Sequence, residues 1–348
     1  MPEPAPDPLP DSHAEPRPGA LPEVDPSVYL HPQTLARLGS FELRAKMIVE
    51  GISSGWHRSP FQGFSVEFAQ HRPYVAGDDI RRLDWKVFAK TDRLQIKQTH
   101  QETTFDLLIM VDSSGSMNYG SRSYAEASGE GAATSADGRA HWSKYDHATA
   151  VAAALAYITL HQGDRAGLYI YADEVRAAVK RSSSHSTWRQ IIGALSLHPL
   201  SHPGPARRTA LGRAVDQAVA TLSNRSLVAI ISDFFGDLDE LRDVVARLRH
   251  RRHDVIALQV LDRAELEFDF DQPAPFEGLE HEGRIRLDPR AIRDSYLELI
   301  RAHIDSVEKI FKGAGYDYQL LSTHDWLGPP LAAFVSRRNA LLKKSKLA

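Results

Sequence analysis

Cysteine is absent from the 348 residues, which excludes disulfides, thiolate metal sites, iron–sulfur clusters and cysteine nucleophiles. A reducing compartment is permitted by this absence. Long apolar runs are also lacking: the most apolar stretch, Val151 to Leu160 (VAAALAYITL), falls well short of the ~20 residues that span a bilayer. No membrane span is expected. The N-terminus (MPEPAPDPLPDSHAEPRPGALPEVDP) has no charged start, apolar run or small-residue cleavage site, so a cytoplasmic protein is expected. An excess of either charge is lacking too, and a formal net charge of −3 gives no global pull toward nucleic acid or anionic membrane. What is present is ordinary globular material, with 42% hydrophobic and 25% charged residues. The length accommodates two or three domains, or one large domain with an appendage.

Nine of the 20 prolines lie between Pro2 and Pro26. With so few large apolar side chains, residues 1–27 cannot offset the entropy of ordering and are expected to be disordered. A second section, 28–104, begins with a helix expected over 32–52 from the spacing of Leu35, Leu38, Phe41, Leu43 and Met47. Short aromatic and β-branched runs punctuated by Gly55, Gly63 and Gly77 follow, with RLQIKQT the clearest strand.

From 105 to 262 the pattern is regular. Phe105 to Val111 (FDLLIMV) is a continuous apolar run of strand length, which fits a strand covered on both faces. Residues 118–142 are small, polar and glycine-rich, and predict a mobile loop. A helix over 145–162, strands at GLYIYA and VRAAVK, helices over 186–197 and 209–223, a strand over 227–232, a helix over 238–249 and a strand over 254–260 follow. Such alternation predicts a doubly wound, mostly parallel sheet with helices on both faces. Residues 263–348 read as an extension: a small hairpin from PFEGLE and GRIRLD, a long helix over 289–312, a strand over 316–321 and a final helix over 330–342.

The sharpest chemical signal stands directly after the first buried strand. Asp112, Ser114 and Ser116 form D-x-S-x-S at the carboxyl end of a strand, where open α/β sheets bind ligands. One carboxylate and two hydroxyls on one turn are hard oxygen donors, suited to Mg²⁺ or another oxygen-seeking divalent cation. Thr209, in RRTALGRAV, starts a helix as a cap or a ligand. Asp233, in VAIISDFFGD, follows another apolar strand. A serine hydrolase would need G-x-S-x-G around its nucleophile, and neither Ser114 nor Ser116 has it. No G-x-x-x-x-G-K-[ST] phosphate loop occurs either.

This order of D-x-S-x-S, then Thr, then strand–Asp, resembles the metal-ion-dependent adhesion site of von Willebrand factor A domains over roughly residues 104–262. The resemblance implies that Ser114, Ser116 and Thr209 are direct or near-direct ligands of Mg²⁺, Mn²⁺ or Ca²⁺, with Asp112 and Asp233 acting through water. It further implies an open coordination position for a partner's Asp or Glu. Upstream, Arg72, Tyr74, Gly77, Asp78, Asp79, Arg81, Asp84 and Trp85 crowd into one short block. From about Ile52 to the C-terminus the chain thereby resembles the bacterial family named domain of unknown function 58. In the block itself, Arg81, Arg82 and Lys86 beside the acids make ion pairing the simplest account.

The resemblance implies a non-enzymatic interaction adaptor associated with a MoxR-type AAA+ ATPase in chaperone-like maturation of protein complexes, the partner or its client docking through an acidic residue. A metal-dependent hydrolase with His147 as base, and a metal-independent scaffold, are the alternatives. The basic segment RLRHRRHD and the lysine-rich C-terminus read as helix ends favoured by the helix dipole, and nucleic-acid binding is not expected.

Overall fold

A computed structural model of the chain describes residues 71–75, 83, 85–97, 105–123, 141–197, 211–222, 225–270, 274–279, 283–325, 327, 328, 330, 331, 334, 336 and 337. Outside them lie the proline-rich segment, the helix expected over 32–52, most of the block from Arg72 to Trp85, Thr209 and much of the final helix.

The described elements are β1 (His71–Pro73), α1 (Trp85–Thr91), β2 (Gln95–Lys97), β3 (Asp106–Asp112), a 3-10 turn (Gly115–Asn118), β4 (Arg122–Ser123), β5 (His141–Trp142), α2 (Lys144–His161), β6 (Arg165–Tyr171), β7 (Val175–Ser182), α3 (His185–Leu197) and α4 (Leu211–Ala220). They continue with β8 (Leu227–Ser232), α5 (Leu238–His250), β9 (Asp254–Leu261), α6 (Arg263–Glu267), β10 (Ala274–Glu277), β11 (Arg284–Leu287), α7 (Pro289–Gly313) and β12 (Asp317–Ser322).

Six strands form the central sheet, in the order β12-β9-β8-β3-β6-β7. All neighbours are parallel except β7, which runs antiparallel to β6 at one edge. The order reverses at β3, the chain moving first to one side and then to the other. That makes the carboxyl ends of β3 and β8 the crevice where such sheets bind ligands. The expected doubly wound, mostly parallel α/β sheet with helices on both faces is therefore the one observed. β12, from the segment read as an extension, is the sixth strand of this sheet.

The central strands carry unbroken apolar sequence because both of their faces are covered. In β3, Leu107, Ile109 and Val111 enter one core with α2 and α3, while Leu108 and Met110 enter the other with α4, α5 and α7. This is the two-residue alternation of a strand read out on two hydrophobic layers. Each such side chain contributes about 1.5–3 kcal/mol on burial, and all five are fully buried.

Helix α2 is the central helix of the first layer. Its alanines, 148, 150, 152, 153, 154 and 156, are buried around most of its circumference, because small side chains let neighbouring elements approach closely. Ser143 starts it with a capping box: its hydroxyl accepts from Asp146 N at 3.1 Å while Asp146 Oδ2 accepts from Ser143 N at 3.0 Å. On the other layer, α7 is begun by Asp288 as N-cap and Pro289 in the first turn, and buries Val307 and Phe311. Among the described residues no helix is long and apolar enough to cross a membrane.

The segment expected as a mobile loop over 118–142 is ordered at both ends. β4 and β5 pair antiparallel, Met117 and Trp142 are fully buried, and Lys144 N donates to Tyr119 O at 2.8 Å. The small polar composition that predicts the loop belongs to 124–140, outside the described residues. Two apolar anchors, Met117 and Trp142, close its neck.

Candidate cation site at the carboxyl end of the sheet

β3 delivers Asp112 to the sheet edge, and the next residues fold back upon it. Ser113 N and Oγ both donate to Tyr171 O, at 2.7 and 3.0 Å, prolonging the β3–β6 pairing by one residue. Ser114 N then donates to Asp112 Oδ1 at 2.8 Å, an Asx-type turn that starts the 3-10 segment. The turn brings the hydroxyls of Ser114 and Ser116 to 3.2 Å from each other. The other carboxylate oxygen, Asp112 Oδ2, accepts from Ser232 Oγ at 2.7 Å. Ser232 Oγ in turn accepts from Phe234 N at 2.9 Å.

Asp233 follows β8 at a sharp bend. Phe234 takes a left-handed φ of 57°, a conformation that costs a non-glycine residue about 1–2 kcal/mol. The bend is held by Gln259 Nε2, which donates to Asp233 O at 2.8 Å, and by Phe235 N, which donates to Asp233 Oδ1 at 3.1 Å. Asp233 Oδ2 accepts from Lys144 Nζ at 2.8 Å. Lys144 is fully buried, donates a second bond to Glu265 Oε1 at 2.7 Å, and lies 4.7 Å from the centre of the Phe235 ring.

Four of the five residues expected at the site are described, and the structure brings them together. Asp112, Ser114 and Ser116 share one turn, and Asp233 lines the same small cavity as Asp112. Thr209 is outside the described residues. Leu211, two positions later, lines a cavity of about 30 Å³ together with Asp112, Tyr171, Ser232, Asp233 and Glu240.

Burial pushes the Asp112 carboxyl up to about 7, and the negative charge of Asp233 adds to the rise. Hydrogen bonds from Ser232 and Ser114 offset part of it. Burial lowers Lys144, but Asp233 and Glu265 outweigh it and hold the ammonium well above the usual lysine range. Glu265 is raised, by burial above all, against the lowering effect of Lys144. Burial also drives Tyr171 well above the usual phenol range, with the Asp112 charge next in importance. Its hydroxyl is fully buried and meets Ser232 only outside normal hydrogen-bond geometry.

These features fit a hard divalent cation. Among the described residues no group of three or more His, Cys, Asp or Glu gathers as a metal cluster would. The donors at this end of the sheet are two hydroxyls, two carboxylates and a buried phenol, all oxygen. Two carboxylates, those of Asp233 and Glu265, share the ammonium of Lys144, and the buried Asp112 forms no ion pair among the described residues. A buried surplus of negative charge is what a cation relieves.

Lys144, Ser232, Glu265 and Tyr171 were not singled out by the sequence. Ser232 carried a local signal, as the residue between an apolar strand and Asp233. Lys144 carried none, since nothing in KYDHATAV distinguishes a buried ammonium from an exposed helix start. His147, the candidate base of the hydrolase alternative, is buried one turn further along α2.

Uncharacterized proteins of Mycobacterium bovis and Mycobacterium tuberculosis are 28% identical over 315 residues, covering 89% of this chain and 92% of theirs. Among solved structures, the conserved hypothetical protein BatB from Bacteroides thetaiotaomicron aligns with a TM-score of 0.44 at 15% identity, over 69% of this chain and 99% of its own. The VWA domain of SpRpn10 aligns with a TM-score of 0.36 at 11% identity, over 66% of this chain and 94% of its own. The family described as protein of unknown function DUF58 matches residues 70–306, well over half of the length, and the chain belongs to that family.

Proposed function

We propose that this protein is a non-enzymatic, cytoplasmic interaction adaptor that docks an acidic residue of another protein through a divalent cation. Ser114, Ser116 and Thr209 hold the cation directly, and Asp112 and Asp233 hold it through water. Mg²⁺ is the expected ion, with Mn²⁺ or Ca²⁺ as substitutes. Bound there, it supplies an electrophilic centre for a carboxylate. Neutral hydroxyl ligands leave that centre unsatisfied, while the carboxylates behind them orient water and hydroxyls.

The observation that carries this reading is the buried Asp112, which accepts bonds from Ser114 N and Ser232 Oγ yet forms no ion pair among the described residues. Lys144, the cation paired with Asp233, is shared with Glu265. By the family resemblance the partner is a MoxR-type AAA+ ATPase, or a client that such an ATPase matures. No nucleic acid is involved.

The test is capture from native lysate with wild type and with a Ser114→Ala/Ser116→Ala double variant, each in Mg²⁺ and in EDTA. Capture of an AAA+ ATPase or its client by wild type in Mg²⁺ alone is the expected result. Equal capture under all four conditions overturns the cation bridge and leaves a metal-independent scaffold.

A further inference from the structure

Lys144 is chemically unusual in its position. It is the first residue of α2, yet its side chain is fully buried, and its Nζ lies 2.8 Å from Asp233 Oδ2 and 2.7 Å from Glu265 Oε1. A buried ion pair is a weak source of stability, because desolvating the charges offsets much of their attraction. Here the ammonium is divided almost equally between two carboxylates of different surroundings. Asp233 belongs to the candidate cation site. Glu265 belongs to α6, where its other oxygen, Oε2, accepts from Asp262 N at 2.7 Å in the helix capping box.

We propose that Lys144 is a built-in competitor for Asp233, which sets the affinity of the site for its divalent cation and withdraws to Glu265 when that cation binds. The inference rests on the cation-site reading above. A dication beside Asp233 both repels the ammonium and makes Asp233 a poorer acceptor for it. Glu265 Oε1, already in contact, offers an alternative place that requires no long movement. The Phe235 ring, 4.7 Å away, keeps the ammonium in favourable surroundings during the transfer. Since α6 begins at Glu265's own capping box, the transferred charge is delivered to that helix. From there Phe268, stacked on Tyr296 at 4.3 Å between ring centres, joins α6 to α7.

The experiment is Mn²⁺ binding, followed by electron paramagnetic resonance and calorimetry, to wild type, Lys144→Met and Glu265→Gln. Each variant is first checked for a native circular dichroism spectrum and a cooperative melt. The Ser114→Ala/Ser116→Ala variant defines binding at this site. Lys144→Met is expected to tighten Mn²⁺ binding about tenfold or more, because one opposing charge at contact distance is removed. Glu265→Gln, which keeps the lysine but leaves it to Asp233 alone, is expected to weaken binding several-fold.

Opposite shifts in the two variants are the signature, since a purely structural lysine would lower the melting temperature of both and leave the Mn²⁺ affinity unmoved. Binding by Lys144→Met but not by wild type also supports the proposal, in its strongest form. Wild-type affinity in both variants, or a shift in the same direction in both, overturns the competition and leaves the cation site standing. Failure of every variant and of wild type to bind Mn²⁺ overturns the cation site itself.

Discussion

Lys144 Nζ and Asp233 Oδ2 lie 2.8 Å apart although 89 residues separate them in the chain. The contact is made because α2 starts beneath the carboxyl end of the sheet and β8 ends there, so both arrive at the crevice beside β3. It joins the segment after the 118–142 insertion to the residue that closes the candidate site. It also divides the carboxylates there into two kinds: Asp233 has an ammonium, and Asp112 has hydrogen bonds alone.

Removing the two hydroxyls is expected to spare the fold. Asp112 Oδ1 is held first by the backbone of Ser114, with a smaller contribution from the Ser114 hydroxyl, and Asp112 Oδ2 is held by Ser232. Ser114→Ala/Ser116→Ala therefore loses the partly exposed hydroxyl–hydroxyl bond and the Ser114 hydroxyl's bond to Asp112, together worth about 1–3 kcal/mol. Urea denaturation should show a shift of that size or less, while Mn²⁺ binding disappears. A collapse of stability would show that the hydroxyls are structural.

Gly120 is expected to resist substitution for a reason specific to the neck of the insertion. A Cβ there would stand 2.1 Å from Trp142 O and 2.9 Å from Ser143 Cα, both main-chain atoms. The clash cannot be relieved by a side-chain rotation. Gly120→Ala should destabilise by about 1–3 kcal/mol, the usual range for overpacking. Because Tyr119 O holds Lys144 N, it should also alter Mn²⁺ binding. Thermal melts together with Mn²⁺ titration check both effects.

His253, at the opposite end of the sheet, should make stability fall in mild acid. Burial lowers its imidazole below the usual value, the Arg251 and Arg181 charges lower it further, and Asp254 opposes them. Its Nδ1 accepts from Ser226 N at 3.3 Å, which requires the neutral ring. A base whose folded-state value is depressed contributes stability that is complete above the unfolded value, about 6.5. That contribution is lost as pH falls below it and through the folded-state value. Urea melts at pH 7.5 and 5.5 should differ more for wild type than for His253→Gln, whose amide oxygen also accepts from Ser226 N. An unchanged pH difference in the variant would assign the acid sensitivity elsewhere.

Much of the fold was legible because its signals are local. FDLLIMV, LVAIIS and DVIALQVL are predominantly apolar runs without polar alternation, which fits strands covered on both faces, and β3, β8 and β9 are buried throughout. The antiparallel edge was legible in VRAAVK, whose alternating polarity matches the half-exposed β7. The D-x-S-x-S turn was legible because Asp112 and Ser114 are tied by a bond across two residues, which sequence proximity alone permits. The neck of the insertion was not, since Trp142 looked like one aromatic in a polar stretch until the core closed over it.

The sequence by itself determined the sheet strands, the helices between them and the turn that places Asp112, Ser114 and Ser116 on one edge, because periodicity, caps and short-range hydrogen bonds act within a few residues. Tertiary structure alone decided the electrostatic state of that edge. Lys144, Asp233 and Glu265 meet across separations of 89 and 121 residues, and burial, which no local pattern encodes, converts their proximity into shared charge. The same burial holds Asp112 near 7, where a carboxyl on an open turn would sit near 3.9.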